Sequence, residues 1–329
     1  MIDLPTFAAL HITDKCSHHC PYCYAGKGLN TESPADFDTL CNIVLALKRN
    51  GIKTIALLGG DPVKYEKIYD LLSFIKKYTS INVELLSNTL VIENHLPSEI
   101  APLVSCVETT IHGNRLFHDN LCGVVGAFDN IVEQLHCYSE LGVNIDVDIN
   151  IIPDNINELF TVIDYLIDKK KIKINNVLIQ RIIPFGNAEG STKYNLSREE
   201  LNIALSQIYE AKEKYKFNVI AEDTFPFCAV KPQFRQFLRK CEWGTKKFAI
   251  NSEGKISRCG ADPTYTLGNI LTDDLKTIWQ NSKELLYFRE KSFVSSKCKK
   301  CIYFDNCGGG CPLSTLPTGT LGIDYLSIE

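Results

Sequence analysis

Three cysteines lie close together near the N-terminus, at Cys16, Cys20 and Cys23, directly after an apolar, strand-like run over residues 7–13. Thiolates are soft ligands, and a [4Fe–4S] cluster needs four ligands, so a loop that supplies three leaves one iron open to another molecule. Zinc is the alternative, because a histidine between the first two cysteines could complete a tetrahedral site. We expect the chemistry of the chain at this loop.

The C-terminal region carries a second group of cysteines, which are Cys241, Cys259, Cys298, Cys301, Cys307 and Cys311. So many soft ligands in a short segment exceed a structural need and predict further metal binding, either by iron–sulfur clusters or by a zinc ribbon. Cys41, Cys106 and Cys137 instead fall within helix or strand patterns, so we expect them to be inert core side chains.

The elements that must position these cysteines alternate between strand and helix, which predicts repeated βα units on a parallel sheet. Six strands are predicted, at residues 7–13, 54–58, 82–86, 104–111, 144–152 and 177–183. The clearest helices are predicted at residues 35–50, 65–78, 128–141 and 156–170. Six units are too few for an eight-stranded barrel, so we predict an α/β fold, a partial (β/α)6 TIM-like barrel with its site at the C-terminal strand ends.

The rhythm of the sequence changes after residue 183. A Pro/Gly-rich break over residues 184–190 precedes a helix over about 197–216, which Ser197 and Glu200 are placed to cap. We place a domain boundary near residue 218, giving a barrel domain over 1–218 that includes this bridging helix. Residues 219–329 form a small cysteine-rich α+β domain, with a hairpin predicted over 248–256.

Composition excludes several classes of function. The 329-residue chain has a net charge of −4, with scattered charges and no basic field for a nucleic-acid backbone. It shows neither a signal peptide nor an apolar run long enough to span a membrane. We therefore expect a cytoplasmic protein that binds neither nucleic acid nor membrane, with its 14 cysteines in a reducing, low-oxygen setting.

The cysteine spacing, the aromatic Tyr22 before the last cysteine and the preceding strand together resemble the radical S-adenosylmethionine (SAM) superfamily. The resemblance implies that Cys16, Cys20 and Cys23 hold a [4Fe–4S] cluster whose open iron chelates SAM. Reduction then yields a 5′-deoxyadenosyl radical. Gly59-Gly60-Asp61-Pro62, at the end of the second predicted strand, resembles the family's Gly-Gly-Glu-Pro motif, which contacts the methionyl amino group.

Further cofactor contacts follow from the same resemblance, at the ends of other strands. The full set of cofactor-binding residues implied in this way is Tyr22, Gly59, Gly60, Asp61, Pro62, Ser87, Asn88, Asn150, Gln180 and Arg181. Ser87-Asn88 also suits an ordinary turn. Asn150, Gln180 and Arg181 are polar residues in apolar strands, so each needs a partner if it is buried.

The segment after strand four resembles the series found in SPASM-type radical enzymes, through Thr110-Ile111-His112-Gly113, His118-Asp119 and the glycine-rich run 123–128. His112 stands where that series has Asp, and Cys122 stands where it has Arg. A lone histidine is more often structural than catalytic. Both replacements nevertheless fall near the predicted mouth of the barrel, where they are candidate catalytic residues.

The order of the late cysteines resembles the SPASM domain, which implies one or two auxiliary [4Fe–4S] clusters. By that resemblance the nearer cluster takes Cys241, Cys259 and Cys311, and the farther one takes Cys298, Cys301 and Cys307. The last cysteine of the family pattern is missing, so the farther cluster needs another ligand such as a carboxylate, keeps an open iron or is absent. Cys228 is a candidate fourth ligand of the nearer cluster, a hydrogen-atom donor or a buried thiol.

The resemblance favours a radical enzyme that abstracts hydrogen from a C–H bond of a ribosomally synthesised peptide, forming a crosslink, oxidising a residue or inverting an α-carbon. The candidate catalytic residues are Cys228, Cys122, His112 and Asp262. The electron donor would be a flavodoxin or ferredoxin. One alternative is a small-molecule enzyme such as a sugar dehydrogenase or epimerase, which the lack of a leader-binding domain before residue 7 favours. The other is an iron–sulfur sensor, which the glycine motif Gly59–Pro62 disfavours.

Overall fold

The computed structural model describes residues 3–31, 35–262, 266–315 and 321–327, so the outermost residues of both predicted domains lie outside the described part. Within it, one sheet contains ten strands. These are β1 (Phe7–Thr13), β2 (Thr54–Gly59), β3 (Asn82–Leu86), β4 (Cys106–Thr110), β5 (Asn144–Ile151), β6 (Asn176–Arg181), β7 (Asn218–Ala221), β8 (Lys247–Ile250), β9 (Lys255–Ser257) and β10 (Gly268–Asn269).

Strands β1 to β7 pair in parallel and in sequence order, which confirms the six predicted strands and the partial TIM-like barrel. The structure adds β7 beside β6 at one end. At the other end β8 pairs in parallel with β1, and the β8–β9 hairpin confirms the one predicted over 248–256. The predicted boundary at residue 218 therefore falls within one continuous sheet, to which the C-terminal region contributes strands at both ends.

Helices connect the strands. In the described residues the α-helices are α1 (Phe37–Arg49), α2 (Ile68–Tyr78), α3 (Pro97–Ile100), α4 (Arg115–Cys122), α5 (Ala127–Glu140), α6 (Leu159–Asp164), α7 (Arg198–Tyr215), α8 (Leu275–Asn281), α9 (Lys283–Glu290), α10 (Ser296–Lys299) and α11 (Phe304–Cys307). The predicted helix 156–170 begins late and continues beyond α6 as a π-helical turn. None of the described helices is long and apolar enough to cross a membrane.

The barrel strands alternate between two environments. Their apolar residues pack against the helices in the main core, as do Val83, Leu85, Val107, Ile145 and Val147. Since side chains alternate along a strand, the intervening residues face the barrel interior. This set includes Glu84, Glu108, Asp146 and Asp148. The interior between the site and the floor of the barrel is therefore rich in carboxyl groups.

Candidate active site

Backbone hydrogen bonds hold the three-cysteine loop in place. Asn30 pairs with Cys16 in both directions, since it accepts from the Cys16 N–H at 3.1 Å and donates to the Cys16 carbonyl at 3.2 Å. Asn187 donates its backbone N–H to the Cys23 carbonyl at 2.9 Å and its side-chain Nδ2 to the Cys20 carbonyl at 3.0 Å. The loop is thus fixed through its main chain, and its half-buried thiols remain available as ligands.

The protonation of these thiols fits a site that needs a bound cation. Burial raises the pKa of Cys16 to about 11 and also raises the pKa of Cys23. The pKa of Cys20 is lowered instead, because the Cys122 side chain donates a hydrogen bond to it. A metal bound by all three as thiolates would offset the cost of burying their charge. The donor set therefore fits an iron–sulfur cluster.

The glycine motif packs tightly against the chain that leads into this loop. The N–H of Gly60 donates to the Thr13 carbonyl at 2.8 Å, and the N–H of Asp61 donates to the Lys15 carbonyl at 2.7 Å. A Cβ on Gly59 would overlap the Thr13 carbonyl oxygen, and one on Gly60 would lie 2.5 Å from that of Lys15. Only glycine allows this approach, which brings the end of β2 beside Cys16.

Asp61 and Ser87 connect two strand ends to each other. Asp61 is fully buried, and burial raises its pKa. Ser87 donates its Oγ hydrogen to Asp61 at 2.7 Å and accepts from the Leu90 N–H at 2.8 Å. Their side chains are thus engaged within the protein, while Pro62 begins a short 3-10 turn. Next to them, Asn88 Nδ2 lies 3.9 Å from Cys16 Sγ, at the mouth of the site.

A buried group of nitrogen and sulfur ligands lies next to the loop. His112, His118 and Cys122 place one potential metal-ligating atom each within 4.8 Å of one another. His118 Nε2 is 3.5 Å from Cys122 Sγ, and the Tyr22 hydroxyl is hydrogen-bonded to His112 Nε2. Burial lowers the pKa of both imidazoles, that of His118 to about 4, so both are neutral near pH 7.

Cys122 links this buried group to the three-cysteine loop. Its thiol is buried between His118 and Cys20, and its carbonyl accepts from the His19 N–H at 2.8 Å. The residue therefore contacts the three-cysteine loop directly, through both backbone and side chain. The catalytic roles predicted for Cys122 and His112 stay predictions.

The nearer auxiliary cysteines meet the same loop from the other side. Cys259 and Cys311 are buried in one cluster, which Tyr24 packs against. Burial raises the pKa of Cys259, and the neighbouring thiols of Cys241 and Cys311 raise it further. Tyr24 is also the residue directly after Cys23 in the three-cysteine loop. It therefore connects the two thiol groups.

One buried positive side chain near the nearer set lacks an anionic partner within the described part of the chain. Lys291 is 5% exposed, and its ammonium has no hydrogen-bond partner among the residues that the structure describes. Burial lowers the pKa of Lys291, and the nearby thiols of Cys241 and Cys311 raise it by a smaller amount. An orphaned buried ammonium is costly unless an anionic group stands beside it. A cluster held by thiolates would be such a group, so the residues fit it.

Two predicted residues are engaged in ion pairs. Asp262, a candidate base, is buried and bonded to the guanidinium of Arg258. Arg181, a predicted cofactor contact, is paired with Asp324 through two hydrogen bonds, at 2.9 and 3.0 Å. Arg181 points away from the barrel interior because its strand neighbour Gln180 points into it, where Gln180 Nε2 donates to an Asp148 oxygen at 2.9 Å.

One of the three interpretations of Cys228 does not hold. The residue is exposed, so its interpretation as a buried thiol is wrong. The N–H of the preceding Phe227 donates to Cys307 Sγ at 3.4 Å, which places this segment beside the farther set.

Several site residues were not identified from the sequence. His118 precedes Cys122 by four residues on a helix, a spacing that puts both on one face and could have shown the pair. Asn155 is fully buried, and its side chain donates at 2.8 Å to the carbonyls of both His112 and Asn150. Asn150 is itself buried at the end of β5. Tyr24 and Lys291 carried no pattern that distinguished them.

Comparison with known proteins agrees with this geometry. Residues 10–166 match the family model described as the radical SAM superfamily, and residues 241–302 match that of SPASM, an iron–sulfur cluster-binding domain. The chain is 22% identical to an AdoMet-dependent heme synthase of Nitratidesulfovibrio vulgaris, covering 92% of this chain and 86% of the relative. It is 23% identical to a PqqA peptide cyclase of Bradyrhizobium diazoefficiens, covering 94% and 81%.

A solved structure shows the same fold. Streptococcus suis SuiB bound to its precursor peptide SuiA superimposes with a TM-score of 0.76, covering 98% of this chain and 76% of SuiB at 18% identity.

Proposed function

On the premise that the chain is a radical SAM protein with a C-terminal SPASM iron–sulfur domain, we propose that it is an enzyme that removes hydrogen from an unactivated C–H bond of a ribosomally synthesised peptide. The two domains imply SAM and [4Fe–4S] clusters as cofactors. When bound, SAM and the cluster of the three-cysteine loop would supply a 5′-deoxyadenosyl radical that takes the hydrogen atom. The product would be a crosslinked, oxidised or epimerised peptide.

The observation that carries the proposal is that Tyr24, the residue directly after Cys23, packs against the buried cluster that contains Cys259 and Cys311. One side chain therefore connects the loop where the radical would form to the nearer auxiliary thiols. A cluster held by those thiols would be placed to accept an electron from the substrate, which favours a net oxidation such as a crosslink over epimerisation. Asn30 and Asn187 orient the loop for this step, and Asn155 holds the ends of β4 and β5 that form the mouth.

The peptide substrate is supported by similarity to a PqqA peptide cyclase and by the fold shared with SuiB, whose structure contains a precursor peptide. Similarity to a heme synthase favours a second candidate, modification of an iron tetrapyrrole. The barrel interior argues against it. Glu84 and Glu108 face that interior, and burial is the main cause of their raised pKa values. The charged carboxylates of a tetrapyrrole would lose their hydration among these acidic groups, which supply no positive charge to balance theirs.

The radical chemistry is tested first without any second substrate. The reconstituted chain is incubated anaerobically with SAM and dithionite, and 5′-deoxyadenosine is quantified. We expect it to form with the intact chain and to disappear in C16A, C20A and C23A. The matched control C137A, in the last turn of α5, should retain it. No 5′-deoxyadenosine from the intact chain would overturn the proposal.

The substrate is tested next with a peptide encoded by a short reading frame beside the gene, in D2O, with an iron tetrapyrrole in parallel. A peptide lighter by two hydrogens and free of solvent deuterium supports oxidation. An unchanged composition with one deuterium incorporated means epimerisation instead. Turnover of the tetrapyrrole alone would contradict the peptide proposal.

A further inference from the structure

The farther cysteines form a compact loop of their own at the surface. The Cys301 N–H donates to the Cys298 carbonyl at 2.9 Å, and the Cys307 N–H donates to the Tyr303 carbonyl at 2.9 Å, so the backbone fixes the spacing. Cys307 is buried, Cys298 is half-buried and Cys301 is exposed. The loop supplies three thiols, whereas a [4Fe–4S] cluster takes four ligands.

A segment from far earlier in the chain packs directly on this loop. The Phe227 N–H donates to Cys307 Sγ at 3.4 Å, and the rings of Phe227 and Tyr303 are 6.0 Å apart. Arg235 reinforces the contact, since its Nε donates to the Phe227 carbonyl at 3.1 Å and its guanidinium lies 4.9 Å from the centre of the Tyr303 ring. Three kinds of contact therefore hold the residue after Phe227, Cys228, at the edge of the loop.

The environment of Cys228 also separates it from the nearer set. Cys259 and Cys311 are packed in an apolar cluster that includes Ile183 and Leu313. Cys228 is exposed, as Cys301 is.

We propose that Cys228 is the fourth ligand of an auxiliary [4Fe–4S] cluster held by Cys298, Cys301 and Cys307. The nearer set then keeps Cys241, Cys259 and Cys311. This inference rests on the SPASM domain and its clusters, and it is independent of the peptide substrate proposed above.

The test measures iron, acid-labile sulfide and the EPR spectrum of the reduced protein, all without turnover, in the reconstituted full-length chain. We expect C228A to lose iron, or to change only the EPR signal that C307A removes. C137A is the control and should match the parent chain. Far-UV circular dichroism checks folding, which an exposed side chain should not affect.

Double variants show which cluster Cys228 serves. C228A/C307A should lose no more iron than C307A alone, because both changes remove ligands from one cluster. C228A/C259A should lose more than C259A alone. Parental iron, sulfide and EPR spectrum in C228A would overturn the proposal. The reverse pattern would also overturn it. In that pattern C228A/C307A loses more iron than C307A, and C228A/C259A loses no more than C259A, which would assign Cys228 to the nearer cluster.

Discussion

The buried ion pair between Arg181 and Asp324 should be a major contributor to stability. Their side chains are 2% and 0% exposed. The guanidinium lies between Phe225 and Tyr325, 5.0 Å from the centre of each ring. Asp324 also accepts the N–H of Cys311 at 2.9 Å, so the pair joins β6 to a nearer-set cysteine.

Replacing Asp324 by Asn keeps the shape and one acceptor oxygen but removes the negative charge. The guanidinium is then buried without a counter-charge, which costs about 3–5 kcal/mol. With an m-value of about 3 kcal/mol per M, the urea midpoint should fall by about 1–2 M. Iron bound by the nearer set should fall as well, because the Cys311 backbone loses a charged acceptor.

The assay is anaerobic urea unfolding followed by circular dichroism, with D168N, at an ion pair on the protein surface, as the control that should change little. The double variant R181M/D324N removes the orphaned charge and should recover more than half of the loss. If the double variant is no more stable than D324N, the loss arises from packing or from the Cys311 contact, and the reasoning is wrong.

Three further predictions concern other parts of the molecule. In C122A the Cys20 sulfur loses a hydrogen bond of about 1 kcal/mol, which should lower the reduction potential of the radical cluster by on the order of 40 mV in an EPR-monitored titration; an unchanged potential would contradict it. Burial raises the pKa of Asp148 from 3.8 to about 7, so the folded state binds an extra proton and stability should fall as pH rises through that window. D148N should flatten this dependence in urea midpoints, and equal slopes in both proteins would refute the assignment. S197A breaks the capping box of α7, in which Ser197 and Glu200 satisfy each other's backbone N–H groups. It should lower the free energy of unfolding, measured in urea, by about 1 kcal/mol, whereas S206A within the same helix should lower it much less.

Local patterns account for the features that were predicted correctly. The strands were found because a buried parallel strand is a short apolar run, and its period is independent of distant residues. The cysteine loops were found because thiolate ligands of one site are often neighbours in sequence. Asp61 accepts one hydrogen bond locally, from the Val63 N–H, but its side-chain partners Ser87 and Thr89 lie more than twenty positions away, and no local signal shows them.

The sequence by itself determined the ligand types, the sheet and the cofactor class, since side-chain chemistry and strand periodicity are local properties. Only the tertiary structure decided which groups meet. It placed Cys122 against Cys20, packed Tyr24 on the cluster of Cys259 and Cys311, and brought the backbone of Phe227 to Cys307. It also paired Arg181 with Asp324, 143 residues away. Such contacts depend on how the sheet brings its two ends and their loops together, and a one-dimensional pattern does not contain that geometry.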